Sequence, residues 1–381
     1  MQNQRDMSPL RSEDVSLAPL NREPSSQEVA QAISSAALAV GELDWLRPGD
    51  TVFIKPVINS GKPYPATTSP QALGAMVRLL KEKGAGRVLV GDMSGVEHLK
   101  QRPEGCKGST RRLAERTGLA YAALEAGAEL TFFEEAGWDG FYQEHPASGS
   151  HWQGGLMMPK VLQEADHIVL MPRCGRHTLL GASLGLKAVV GYMRFDTRLE
   201  YHHEARSIQE KTAEANTVPT LMEKQRLVLT AADKVLATCG PDIGYVAAPE
   251  QGLVIASRSV VAHDLVTLAW LLINWRLAPW RHKRFFTDPN TSKIMANLVN
   301  HVIAGMLGGW KAGISAQTMQ RNELPEVWQD RTLAWACHLM GGAPEIKMLP
   351  AEKGISPALL VELESLVALP TLESAATSRV A

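Results

Sequence analysis

Between Met171 and His203 the chain runs MPRCGRHTLLGASLGLKAVVGYMRFDTRLEYHH, which gathers five Arg and Lys residues, three His and one Cys. No other window concentrates as many side chains able to do chemistry. Cations just past a strand and at a helix start suit an anion, because free backbone N–H groups and the helix dipole favour negative charge there. His177 and His202 add ring nitrogens that titrate near neutral pH or ligate a metal. Together with Asp92 they would suit a divalent transition ion, although their spacing selects no particular metal and the His202-His203 pair also fits a hydrogen-bonded surface feature. Cys174, between Arg173 and Arg176, is either a thiol activated by its neighbours or, the safer reading, a buried inert one.

The elements that must position these groups follow from hydrophobic patterning. Asp166 to Met171 is an apolar run bounded by Pro172, a buried strand. Thr51 to Ile54 forms a strand delivering Lys55, and Arg87 to Gly91 forms one delivering Asp92. A helix capped by Ser69 with Pro70 at its first position joins them, so the pair makes a βαβ unit and a parallel sheet. Glu129 to Phe133, Leu227 to Asp233 and Gly252 to Ser257 add further strands, and residues 137–155 are expected to form a long surface loop. In such a sheet ligands bind beyond the carboxyl ends of the strands. Those ends nominate His177, Lys55 and Asp92 as catalytic groups, with Lys187, and Arg173, Arg176, Asp233 and Ser257 as substrate-binding groups. Any one of them could be an ordinary polar strand end, and the set is better evidence than its members. Thr178 to Val190 has helical length. A continuous helix would carry Lys187 roughly 14 Å from Thr178, so Lys187 joins the site only if the chain breaks near Gly181 to Gly185. As groups outside the core packing, Lys55 and His177 are expected to tolerate substitution by Ala with little loss of stability.

The expected fold is α/β, a mostly parallel, helix-flanked sheet followed by an all-helical C-terminal extension. Four segments follow: a disordered stretch over 1–22, the α/β domain over 23–274, the extension over 275–370 and a disordered tail over 371–381. The extension holds five of the nine Trp and the basic aromatic cluster Trp280 to Phe286. At 381 residues and 45% hydrophobic content the chain can bury a large core, and its net charge of -1 provides no global basic field for non-specific nucleic-acid binding. No apolar run reaches the length of a membrane span, so no span is expected. The four Cys are scattered without a CxxC, which argues against an iron–sulfur cluster and suits a cytoplasmic setting. GxxxxGK[ST], GxGxxG after a strand and HExxH are all absent.

In order along the chain, VFIKP (Val52 to Pro56), TTSPQAL and KEKGAGRVLVGD (Thr67 to Asp92), ADHIVLMPRCGRH (Ala165 to His177), LKAVVG (Leu186 to Gly191) with Tyr201-His202, and LVIASRSVVAHD (Leu253 to Asp264) resemble a bacterial and archaeal family. It is the one catalogued as domain of unknown function three-six-two, whose members are often described as iron–sulfur proteins. The resemblance implies shared roles for Lys55, Asp92, His177, Lys187, His202, Asp233 and Asp264. Val57, Ala188 and Ser259 depart from the family's usual residues, and the helical extension stands where many relatives carry a Cys-rich ferredoxin module. The reading is a soluble enzyme for an anionic small molecule, metal-assisted or oxidoreductase in chemistry, in a redox or biosynthetic pathway. It would work as a homo-oligomer or with a redox partner protein. The alternative is an accessory protein that delivers a substrate or cofactor without catalysis.

Overall fold

The computed structural model describes residues 11–284, 293–320, 324 and 326–369. Eight strands form the main sheet: β1 (Ser12–Asn21), β2 (Thr51–Pro56), β3 (Arg87–Val90), β4 (Glu129–Leu130), β5 (His167–Met171), β6 (Gln225–Ala232), β7 (Gln251–Ser257) and β8 (Glu345–Pro350). Their spatial order is β8-β1-β7-β6-β5-β2-β3-β4. The run from β6 to β4 is parallel throughout, and β8 is parallel to β1. The β1-β7 and β7-β6 pairs are antiparallel. A mostly parallel, helix-flanked α/β sheet is therefore the architecture.

Local chemistry explains the helices. α1 (Ser26–Ala39) opens on a capping box in which the Ser25 hydroxyl accepts from Glu28 N–H and the Glu28 carboxylate accepts from Ser25 N–H. α2 (Pro70–Glu82) starts with Pro70 behind its cap Ser69 and buries Leu73, Met76, Val77 and Leu80 against β2 and β3. After α3 (Phe195–His203), α4 (Val260–Leu277) is the one described helix long and apolar enough to cross a membrane, yet 83% of that stretch is buried in the protein. It is a core helix packed on β6 and β7. α5 (Lys293–Gly308) lies in the C-terminal extension and packs against α3.

Several expectations need correction. Residues 1–22 are not wholly disordered, because Val15, Leu17, Ala18 and Leu20 are buried and β1 bonds to strands on both sides. Its alternating pattern is interrupted by Pro19, which hid it as a strand. The extension is not all helical: β8 joins the sheet, and Leu333, Ala336 and Leu363 share a core with α4, across the expected boundary at 274. Of the aromatic cluster, Phe285 and Phe286 lie outside the described residues, as does the expected tail over 371–381. The expected third strand shrinks to β4, followed by a 3-10 turn over Phe133–Ala136. Within 137–155 a strand, Phe141–Glu144, pairs with Leu156–Pro159. β7 runs antiparallel because no helix intervenes between it and β6, and a parallel neighbour needs a crossover. The stretch from Thr178 is not one helix. Gly175–His177 and Gly181–Ser183 pair as a tight hairpin, Gly181 takes a φ of +81°, and only Gly185–Ala188 is α-helical, running on into a 3-10 turn over Val189–Tyr192.

Because β1 has a hydrogen-bonded neighbour on each side, deleting residues 1–22 should leave a gap that β8 and β7 cannot close. The truncated protein is expected to lose its cooperative thermal transition. A melting temperature equal to that of the full chain would show that β1 is dispensable.

Candidate functional site

Beyond the carboxyl ends of β2, β3 and β5 lies a cavity of about 120 Å³. Lys55, Asp92, His177, Lys187 and His202 all line it, with Arg198, Glu97 and His98. Apolar walls come from Met93, Leu179, Val190, Val299 and Ile303, among others. The hairpin after β5 is what brings Lys187 in. Its turn reverses the chain after His177, and the short helix then starts where Gly185 N–H and Leu186 N–H donate to the two oxygens of Asp264 (2.8 and 2.7 Å). Gly185 is needed there, since a Cβ would lie 2.7 Å from Asp264 Oδ1.

Lys55 and Asp92 face the cavity as a buried ion pair. Nζ lies 2.9 Å from Asp92 Oδ1 and donates to Pro56 O at 3.1 Å, while Asp92 Oδ2 accepts from Ile58 N–H at 2.6 Å. Burial lowers the Lys55 pKa, opposed by Asp92. Gly191 gives the pair its room: a Cβ there would sit 2.4 Å from Asp92 Oδ1 and 2.5 Å from Lys55 Nζ.

The two histidines present opposite faces of imidazole chemistry. His177 Nδ1 accepts from Leu179 N–H at 3.2 Å and Leu180 N–H at 3.4 Å, so the proton of the neutral ring sits on Nε2. Burial, then Lys187 and Arg173, hold its pKa well below the ordinary value. His202 Nδ1 instead faces Asn300 Oδ1 at 2.9 Å. Its pKa is pushed down to about 4, chiefly by burial. The cavity therefore holds one imidazole donor and one imidazole acceptor, both neutral.

Positive charge is in excess. Lys187 is half-buried, and among the described residues nothing hydrogen-bonds or ion-pairs with its ammonium. Burial first, then Arg173 and Lys55, bring its pKa down to about 7. Arg198, which sequence reasoning did not single out, is buried and donates to the carbonyls of Met193, Ser94, Met93 and Gly191. Its bonds are all to backbone, so no motif of side-chain types reveals it.

Other nominated residues lie outside the lining. Arg173 donates to Ser183 Oγ at 3.3 Å and to Pro241 O, and braces the hairpin. The Arg176 guanidinium lies over the Trp275 ring, 5.9 Å from its centroid. Asp233 ends β6 on the expected edge, where Tyr64 Oη donates to it at 2.7 Å. Ser257 ends a strand that runs the other way; it is fully buried and donates to Asp14 O at 2.8 Å. Cys174 is buried and its thiol pKa is raised by burial, the opposite of activation. Among the described residues, the group whose metal-ligating atoms come together is Glu97, His98 and Asp242, all within 4.8 Å of one another, rather than His177, His202 and Asp92.

Residues 52–269 match the family model described as Domain of unknown function (DUF362), and the chain belongs to that family, as its ordered motifs led us to expect. A thylakoid-associated protein of Synechocystis sp. is 26% identical over 228 residues, covering 58% of this chain and 63% of that protein, so the chain spans less than two thirds of that relative's length. Among solved structures, a Thermotoga maritima protein gives a TM-score of 0.37 at 13% identity, covering 67% of this chain and 58% of that one. The lactate racemase apoprotein of Thermoanaerobacterium thermosaccharolyticum gives 0.36 at 15% identity, covering 57% and 50%. At these TM-scores neither structure carries an argument about chemistry.

The buried ion pair revises the expectation that Lys55 can be replaced freely. Lys55→Met should destabilise the protein by roughly 3–5 kcal/mol, because it strands the Asp92 charge in the interior. Lys55→Met with Asp92→Leu should be much milder. Denaturant unfolding of the two variants checks this, and equal losses in both would show that the charges do not act as a pair.

Proposed function

We propose that this member of the family is an enzyme that binds a small anion, a carboxylate or a phosphate, in the cavity and exchanges a proton with it through the paired histidines. The observation that carries the reading is the Lys187 ammonium, which faces the cavity with no hydrogen-bonded or ion-paired partner among the described residues, Asp242 opposing its charge only from a longer range. An anion there would supply the missing partner and raise the pKa of Lys187 back towards the ordinary lysine value. Around it, His177 Nε2–H offers a donor to an oxygen of the ligand, and the unprotonated Nε2 of His202 offers a proton acceptor. A cytoplasmic setting belongs to the same proposal, in keeping with four free cysteines. An accessory protein that only carries the anion is the alternative, distinguished by binding without turnover.

A second reading, metal assistance, is favoured by the Glu97, His98 and Asp242 group, because Glu97 and His98 also line the cavity. A divalent ion held there would add a Lewis acid at the rim. The expected signature is a calorimetric Mn²⁺ or Zn²⁺ isotherm near one to one that is lost in His98→Ala. The absence of heat with either ion would remove this reading.

Acetate stays ionised from pH 6 to 8, so it reports the charge of Lys187 alone. Its affinity should fall about tenfold over that range as Lys187 loses its proton around pH 7. Near pH 7 to 8, binding should take up a proton, visible as a dependence of the heat on the buffer's ionisation enthalpy. Lys187→Met should abolish binding. Affinity independent of pH, or unchanged by that substitution, would defeat the anion reading.

A further inference from the structure

His202 is useful to the cavity only if its proton sits on Nδ1, and nothing within the family-matched residues bonds that atom. The partner is Asn300, on α5 and beyond the matched region. Both residues are buried, and Asn300 has no exposed surface. One amide makes two bonds to the same histidine: Oδ1 faces ring Nδ1 at 2.9 Å, and Nδ2 donates to the backbone carbonyl of His202 at 2.9 Å.

The second bond settles the polarity of the first. A carbonyl can only accept, so the NH₂ of Asn300 must face it and Oδ1 must face the ring. An amide oxygen only accepts as well, so Nδ1 carries the hydrogen and Nε2 keeps its lone pair. Turning the amide over would set two oxygens against each other in the interior and leave the NH₂ facing the ring, costing both bonds. The orientation of the ring is held too, by Tyr201 edge-on at 5.1 Å between centroids. The same helix places Val299 and Ile303 in the cavity wall, so one element of the extension both closes the site and sets its base.

We propose that Asn300 is a positioning residue that fixes His202 in the Nδ1–H tautomer, so that the C-terminal extension completes the site as a proton acceptor. This rests on the reading of His202 as the acceptor for a bound anion. The tautomer itself can be measured with no ligand at all.

The experiment is nitrogen NMR on full-length protein labelled at histidine, above pH 6, for the wild type, Asn300→Ala and Asn300→Asp. The wild type should show a protonated Nδ1 and a bare Nε2 for His202. In Asn300→Ala part or all of that proton should move to Nε2. In Asn300→Asp the carboxylate should keep the proton on Nδ1 and raise the midpoint of the ring's titration from about 4 towards neutral. A role in packing alone would leave both the tautomer and the midpoint unchanged in any variant that folds, and that result overturns the proposal. If Asn300→Ala fails to fold, the wild-type spectrum still decides, since a proton on Nε2 overturns the proposal by itself. A wild type that binds no acetate yet shows the Nδ1–H tautomer, with the variants behaving as stated, would sink the anion reading while supporting the role of Asn300.

Discussion

Two backbone amides, those of Gly185 and Leu186, end on the carboxylate of Asp264, and the geometry of the cavity depends on that clamp. The first turn of a helix leaves amides without internal partners, and here a buried carboxylate from α4 takes two of them. His263 Nδ1 faces the same carboxylate at 2.8 Å, and Thr230 Oγ1 lies 3.0 Å from His263 Nε2, so the clamp is itself tied to β6. Lys187 directly follows the clamped amides. Its approach to the site is thus set by a core helix and a core strand rather than by the mobility of a loop.

Around that fixed point the electrostatics are uneven. Lys55 is offset by Asp92 at 2.9 Å, and Arg198 spends its donors on carbonyl oxygens. Both histidines are kept neutral by burial near cations. The net result is an apolar-walled space with positive charge left over, and in low dielectric such an excess is costly. The cost is shown by Lys187, whose pKa falls to about 7. On the reading proposed above, an anion would meet these charges already in place, with no reorganisation needed.

Much of this was legible in the sequence, for local reasons. β2, β3, β5, α1 and α2 announce themselves through apolar runs and caps within a few residues, and strand polarity then places Lys55 and Asp92 on one edge. The motif order identified the family. What escaped depended on partners far along the chain. β1 is made a strand by β7 and β8 rather than by its own pattern, and Arg198 is recruited by carbonyls about a hundred residues away. The hairpin after His177 was misread because LLGASLGL matches helical length, while Gly181 supplies a positive φ that only the folded turn discloses. Arg173, Arg176 and Ser257 were nominated for standing at strand ends, and each lies outside the cavity lining.

The position of β1 also bears on how the chain is made. Among the described strands it is made before the others, but its two neighbours are β7, starting at residue 251, and β8, starting at residue 345. At about 5–20 residues per second, β1 waits on the order of 10–50 s for its first neighbour and longer for its second. Through that interval a strand whose Val15, Leu17 and Leu20 will end up in the interior has no sheet to join. Loop closure over such a separation is slow compared with the neighbouring α1-β2-α2-β3 unit, whose contacts are local. The nascent protein should therefore hold its central parallel strands before β1 is seated between its two neighbours.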